Sequence, residues 1–430
     1  SFASRLIRNL AMKLPNSLRA LQHRNFRLFI MGQGTSQIGN WVQLIATSWL
    51  VYSLSGSTFM LGLSAFSLQI PMLLITPFAG VLLDRLDVRR VLFATNTLAM
   101  LQSVVMLALV VSGRIEAWHI VVGNAVLGFG NAFDAPARQA LISKLLPNRQ
   151  ELTNAIALNS TVMNGARFIG PMLGGLVTAS FGEVWSFAVN CVMRFAVLSA
   201  LRATSIAAHF ARQGPSSILK QLMMGIEYAY GFFPSRCALL LLAVSSFCLH
   251  SYGSLMPWFA SERFHGDSRT LGLLYSSAGM GAVCGMIYLA SRTNIRGLFK
   301  VIGWSAGVAG LSLVAFSFAE NLWLALPMLF VSSLSMMLTA ASTNTVLQSI
   351  VPDELRGRVA ALYVMSFLGM SPVGSLCSGW LADHIGSPHA VAFFGAAGFS
   401  AALVYAYHFK QIRAEILPLY EALDIPPQEA

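Results

Sequence analysis

Long apolar runs separated by short charged interruptions fill this chain from residue 26 to residue 409. About twelve runs are read as spans, at 26–52, 58–82, 91–112, 118–141, 153–180, 185–201, 237–261, 270–290, 299–318, 322–350, 358–384 and 389–409. Their lengths suit a helix crossing a hydrocarbon core of ~30 Å. In such a medium backbone polar groups must pair within their own segment, and these runs are too long for barrel strands. The pattern predicts an all-α membrane protein. Polar residues recur inside some runs at helical spacing. Gln33, Gln37, Asn40 and Thr47 form one stripe, with Trp41 beside it, and Asn124, Asn131, Asp134 and Arg138 form another.

The chain also repeats itself. Leu-Pro-Asn-Arg-Gln-Glu-Leu around Pro147 and Val-Pro-Asp-Glu-Leu-Arg around Pro352 each end one apolar run and open the next. A similar offset sets Ser291–Gly297 opposite the charged loop that follows Leu83. The repeat predicts twelve transmembrane helices in two parallel six-helix halves, with a substrate path between them. The divisions are a basic amphipathic segment at 1–24, helices at 25–201, a linker at 202–236, helices at 237–409 and a tail at 410–430. Ser217–Phe233 has helical periodicity and is expected to lie along the membrane surface.

Composition agrees: 56% of residues are hydrophobic and 10% are charged, against about 25% charged in soluble domains. The net charge of +11 would suggest nucleic acid, but its placement argues otherwise. Arg5, Arg8, Lys13, Arg19, Arg85, Arg89, Arg90, Lys220, Arg296 and Arg356 fall in or beside segments on one face; the other face holds Arg114, Arg263 and Arg269. This asymmetry predicts both termini in the cytoplasm. The first 24 residues lack acids, as transit peptides do, and are read here as a helix on anionic lipid; no cleavable secretory signal is read. Five cysteines without C-x-x-C spacing are read as packing residues, with no metal site.

Candidate chemistry begins with Gly80–Leu92, Gly-Val-Leu-Leu-Asp-Arg-Leu-Asp-Val-Arg-Arg-Val-Leu. It resembles the signature loop of the major facilitator superfamily. The resemblance implies that Asp84 latches the inner gate by accepting hydrogen bonds from a helix N-terminus near Arg356. Asp87 and Val88 depart from the family pattern, so a link from Arg85 or Arg89 to an acid on the fourth span replaces the usual one. Ser291 stands where the second half would carry its aspartate.

Asp134 is read as the one carboxylate inside a span, four residues from Arg138 and able to pair with it. The pair serves either a gate or proton coupling. In the fifth span, Gly170-Pro171-Met172-Leu173-Gly174-Gly175 resembles an antiporter motif, and small residues there also suit close helix packing. The Asp134-x-Pro-x-Arg-Gln-Ala and Asn154-Ala-x-x-Leu-Asn-Ser runs, with Arg167 before Gly-Pro, are similar to the transmembrane secretion effector group, which includes enterobactin exporters.

Arg167 and Arg194 lie deep in their spans and exceed the acids available, so they are expected to make an electropositive cavity suited to carboxylates or catecholates. Gln33, Gln37, Asn40, Trp41, Asn131, His250 and Tyr252 join them as substrate residues, with Met336, Met337, Thr339 and Thr343 on the same path. His250 is either a titrating group or a packing residue. Asp84, Arg85, Arg89, Asp134, Arg138, Gly170 and Pro171 form the gating and coupling set. The reading is a monomeric, proton-driven secondary transporter of the bacterial inner membrane, touching lipid, proton and a small substrate but no nucleic acid. It exports siderophore-like amphipathic anions by alternating access and uses no cofactor. The alternatives are a multidrug antiporter, an importer or a lipid transporter. An enzyme is disfavoured, since no P-loop, G-x-S-x-G or zinc spacing occurs.

Overall fold

The computed structural model describes residues 16–83, 86–146, 149–204, 218–292 and 294–422. Asp84, Arg85, Pro147 and the segments at 1–15, 205–217 and 423–430 lie outside them. Among the described residues all regular structure is helical. After a 3-10 turn at Asn16–Gln22 come α1 (Arg24–Ser55), α2 (Thr58–Leu83), α3 (Val88–Val111), α4 (Ala117–Leu145), α5 (Arg149–Phe181) and α6 (Glu183–Ala203). Helix α7 (Ile218–Gly231) leads to α8 (Phe233–Leu249), α9 (Ser268–Ala290), α10 (Leu298–Ser317), α11 (Leu322–Ile350), α12 (Asp353–Leu368), α13 (Met370–Ile385), α14 (Ser387–Tyr407) and α15 (Phe409–Ala422).

Among the described residues nine helical segments are long and apolar enough to cross a membrane. Helices α1, α4 and α5 fall short by composition and are among the longest, at 32, 29 and 33 residues. Of these, α1 and α4 carry the polar stripes, so their lower hydropathy follows from the chemistry they hold. Two expected spans are interrupted. Helix α8 stops at Leu249 and the chain continues as a 3-10 turn (Ser251–Leu255), a short helix (Met256–Trp258) and a π-turn (Phe259–Arg263). Helices α12 and α13 meet at Gly369, with Pro372 just beyond. Side chains and backbone repair the breaks: Tyr275 donates to the Gly253 carbonyl at 2.6 Å, and Ser246 donates to that of Phe367. Carbonyls freed from a helix in apolar surroundings need such donors.

Helices α1–α6 pack on one another, as do α8–α14, and the two groups meet chiefly along α5 with α9 and α2 with α13. Both meetings are backbone to backbone. A Cβ on Gly175 would stand 2.5 Å from the Ser268 carbonyl oxygen, and one on Gly272 would stand 2.6 Å from that of Pro171. Likewise a Cβ on Gly62 would stand 2.5 Å from the Ser375 carbonyl oxygen, and one on Gly379 would stand 2.6 Å from that of Thr58. Lipid tails are as apolar as leucine, so close approach through small residues supplies the attraction.

These contacts give the Gly-Pro-x-x-Gly-Gly run a physical account. Gly170 receives the Trp41 side chain, Gly174 receives Val42 and Ile45 of α1, and Gly175 receives α9. One short run thus binds α5 to two neighbours. Gly175→Leu should force α5 from α9 and lower the apparent Tm in a thiol-dye melt, at a cost of about 1–3 kcal/mol. Gly165→Ala, where the added carbon meets nothing within 4 Å, should leave Tm unchanged or raise it slightly.

Candidate transport pathway and polar core

The polar residues of α1, α3, α4 and α6 form two buried clusters. In the first, Gln43 donates to Gln102 at 2.8 Å and accepts from Ser103 at 2.6 Å and from Asn190. In the second, Asp134 accepts from Arg138 at 2.8 Å, from Asn96 at 3.0 Å and from Thr95 at 3.3 Å. Arg194, only 6% exposed, donates to Asn96 at 2.8 Å and to Asn40. Arg138 also reaches the Met163 sulfur on α5 at 3.3 Å. Asn124, on the same stripe of α4, turns to α2 and donates to the Ser64 hydroxyl at 2.8 Å. A charged group out of water keeps its charge only when such partners replace the lost hydration.

Four expectations are corrected here. Arg194 is not a spare cation facing a cavity: it is held among α1, α3 and α6, with the Asp134 charge near enough to act on it. Asn40 is occupied by Arg194. Arg89 makes no link to the fourth span. Its guanidinium donates to the carbonyls of Leu201 and Arg202 at 2.9 Å each, clamping the C-terminus of α6, where a cation meets unpaired carbonyls. Thr339 and Thr343 do not line a path: both are fully buried, bonded to the carbonyls one turn back, and Thr339 meets the Ser305 hydroxyl at 2.7 Å. Met336 is buried beside them.

Asp134 is also not alone. Asp383 stands in the last turn of α13, inside the span read at 358–384, and it touches α2 rather than its own helix group.

Arg167 is the contrasting cation. Among the described residues it has no hydrogen-bonded or ion-paired partner, and the groups near enough to feel its charge are Tyr252 and His250. It belongs to α5, and they stand at the break after α8, so this group of side chains spans both sets of helices. His250 keeps exposed surface although it lies deep in the protein, which makes it part of an internal wall. Phe367 stands 6.2 Å from it, ring to ring. Tyr252 shares a hydrogen bond with Ser333 at 2.8 Å. Trp41 is half-buried, wedged on Gly170 one turn from Arg167. Gln37 and Asn131 are half-buried and Gln33 is buried; none of the three is hydrogen-bonded through its side chain among the described residues.

A separate cavity of about 300 Å³ lies between α9, α10 and α11, lined by Leu289, Arg292, Ile295 and Thr345 among others. Leu289 is ten residues, about 15 Å of helix, from Gly279, which packs on the Arg167 carbonyl. The two places are distinct.

Residues 16–429 match the model of the transmembrane secretion effector family. The chain belongs to that family. Its Arg167, helix breaks and glycine crossings are therefore parts of a multi-pass membrane transporter of the major facilitator superfamily and not of an enzyme. The "Staphyloferrin A transporter" of Staphylococcus aureus is 25% identical over 88% of this chain and 95% of its own length. "Multidrug efflux pump Tap" of Mycolicibacterium fortuitum is 23% identical over 84% of this chain and 89% of its own. In fold the chain is similar to a peptide transporter, POT, solved in complex with sulfate, with a TM-score of 0.71 and 11% identity over 91% of this chain and 95% of that one.

Within this family member the two deep arginines should separate by experiment. Arg194→Leu orphans the Asn40 and Asn96 oxygens, about 1–3 kcal/mol for each buried group, and should lower Tm markedly. Arg167→Gln removes no hydrogen bond or ion pair found among the described residues and should leave Tm within the scatter of surface substitutions, about 0.5 kcal/mol.

Proposed function

We propose that this protein is a proton-driven exporter of small amphipathic anions of the siderophore kind, working by alternating access. The observation that carries the reading is Arg167, a cation without a hydrogen-bonded or ion-paired partner among the described residues and near enough to His250 and Tyr252 of the other helix group for its charge to act on them. An anionic ligand would supply the missing partner through charge-assisted bonds, which arginine makes in a bidentate geometry. The name of the Staphylococcus aureus relative supports a siderophore-like substrate. In this reading twelve spans form two six-helix halves, α1–α6 and α8–α14 with the interrupted segments counted as single spans. Both termini face the cytoplasm of a bacterial inner membrane, the protein works as a monomer, and no cofactor takes part. Gln33, Gln37, Trp41 and Asn131 supply the remaining polar and aromatic surface to the substrate.

Binding tests the substrate class. Arg167→Gln should weaken a carboxylate or catecholate ligand by about 10- to 100-fold, the equivalent of losing one or two bonds to a charged group at about 1.5–3 kcal/mol. A neutral dye should bind nearly as before. Ligand-induced thermal stabilisation of wild type and variant reads both. Equal losses for anionic, neutral and cationic ligands would favour the second reading, a multidrug exporter, which the Mycolicibacterium fortuitum relative supports.

Proton coupling is assigned to Asp134. Its carboxylate joins α3 and α4 and holds Arg138, so a proton arriving there would release Arg138 toward α5. Asp134→Asn should abolish uptake driven by a pH gradient in everted vesicles while sparing downhill exchange. A full response of the variant to the gradient would move the coupling elsewhere, with His250 the next candidate.

A further inference from the structure

Among the described residues, the hydrogen bonds between α1–α6 and α8–α14 cluster toward one end of the molecule. Tyr52 donates to Glu262 at 3.1 Å, Arg269 to Ser180 at 3.2 Å and Ser268 to the Gly175 carbonyl at 3.3 Å. The densest set belongs to Asp383. Its carboxylate accepts from the backbone N–H of Thr58 at 2.8 Å and of Phe59 at 3.2 Å, from the Ser57 hydroxyl at 2.9 Å and from the Thr58 hydroxyl at 2.5 Å. The acid is at the C-terminal end of α13, and its donors are Ser57, just before α2, and the first two residues of α2. One turn further in, Gly62 and Gly379 bring the two backbones together.

We infer that Asp383 is a reversible latch, which holds this end closed by capping a helix of the opposite group and must release it each time this end opens.

Three observations carry the assignment. First, α2 does not need Asp383 to begin: Ser57 accepts the Met60 N–H at 3.3 Å, which caps the helix from within. The contribution of Asp383 is therefore to the joining of the groups. Second, Asp383 has no cationic partner among the described residues, so α2 supplies its interactions. Third, Asp383 is exposed. When α2 withdraws, water can take over the four bonds, and neither the carboxylate nor the helix end is left orphaned. Asp134 differs in each respect, being buried and bonded within one group. A contact that water can replace at small net cost suits a gate, whereas a buried charge cluster suits a body that moves as a unit.

The test reads conformation and needs no substrate. Cysteines replace the exposed Val111 and Glu320, on α3 and just before α11 at this end, in a background with the five native cysteines changed to serine. Spin-label distances are then measured in lipid nanodiscs. Asp383→Ala should increase the ratio of the long-distance to the short-distance population about tenfold, equivalent to about 1.4 kcal/mol. Thr58→Pro removes the Thr58 N–H and hydroxyl while leaving the first helical position with a residue it tolerates, and should shift the ratio the same way. The double variant should add little to either change, since both act on one contact. Unchanged distances in the two single variants, whether or not thermal stability falls, would overturn the latch and leave Asp383 as a static cap. Should Asp383→Ala fail to fold, Thr58→Pro decides alone: a shift supports the latch and none overturns it.

Discussion

Inside an apolar medium a buried polar side chain is costly until it finds a partner within the protein, and the arrangement of α1, α3, α4 and α6 follows from that cost. The bonds that Asp134, Arg138 and Arg194 make with Thr95, Asn40 and Asn96 tie α1, α3, α4 and α6 together. Gln43, Gln102, Ser103 and Asn190 repeat the device one to two turns away. Breaking either cluster exposes groups that hydrocarbon cannot solvate, so these helices are bound to move together. The cluster is also why α1 and α4 are less apolar than their neighbours: their polar residues look inward, where partners wait.

The contacts between the two groups of helices are of another kind. They consist of glycines that let backbones touch and of hydrogen bonds at an exposed end. Dispersion between close backbones falls away within a fraction of an ångström of separation, and water substitutes for exposed hydrogen bonds. Strong clusters inside α1–α6 beside replaceable contacts to α8–α14 fit the rocking of one group against the other that the proposed mechanism requires. The proposed alternating access would draw on that difference.

Between the groups stands Arg167, the one deep arginine whose partners the protein does not provide among its described residues. The helix break after α8 brings His250 and Tyr252 toward it, and hydroxyls of Tyr275 and Ser246 donate to the Gly253 and Phe367 carbonyls beside this break and the one at Gly369. Irregular backbone at this depth is tolerated where protein or a cavity surrounds it. A cation beside such a break is open to a ligand in a way that Arg194, whose two terminal nitrogens are held by Asn96 and Asn40, is not.

Much of this was legible in the chain. Hydrophobic periodicity located the helices, because the demand for internal backbone bonding leaves an apolar run of this length no other regular structure. The signature loop and the helix-5 motif pointed to the family, and the i, i+4 spacing of Asp134 and Arg138 predicted their pairing. Other features depended on tertiary contact. Arg167 and Arg194 look alike in sequence, each a lone arginine in an apolar run, and only the neighbours brought by α1 and α3 make one structural and leave the other free. Thr339 and Thr343 have the spacing of a cavity stripe, yet the face they occupy is the one packed on α10. Asp383 sits at a span end like many solvated acids, and its bond to α2, more than three hundred residues earlier in the chain, exists only because the glycine crossing sets those two helix ends side by side. Local pattern decides which residues share a helix face; which other helix that face meets is decided by the packing of the whole.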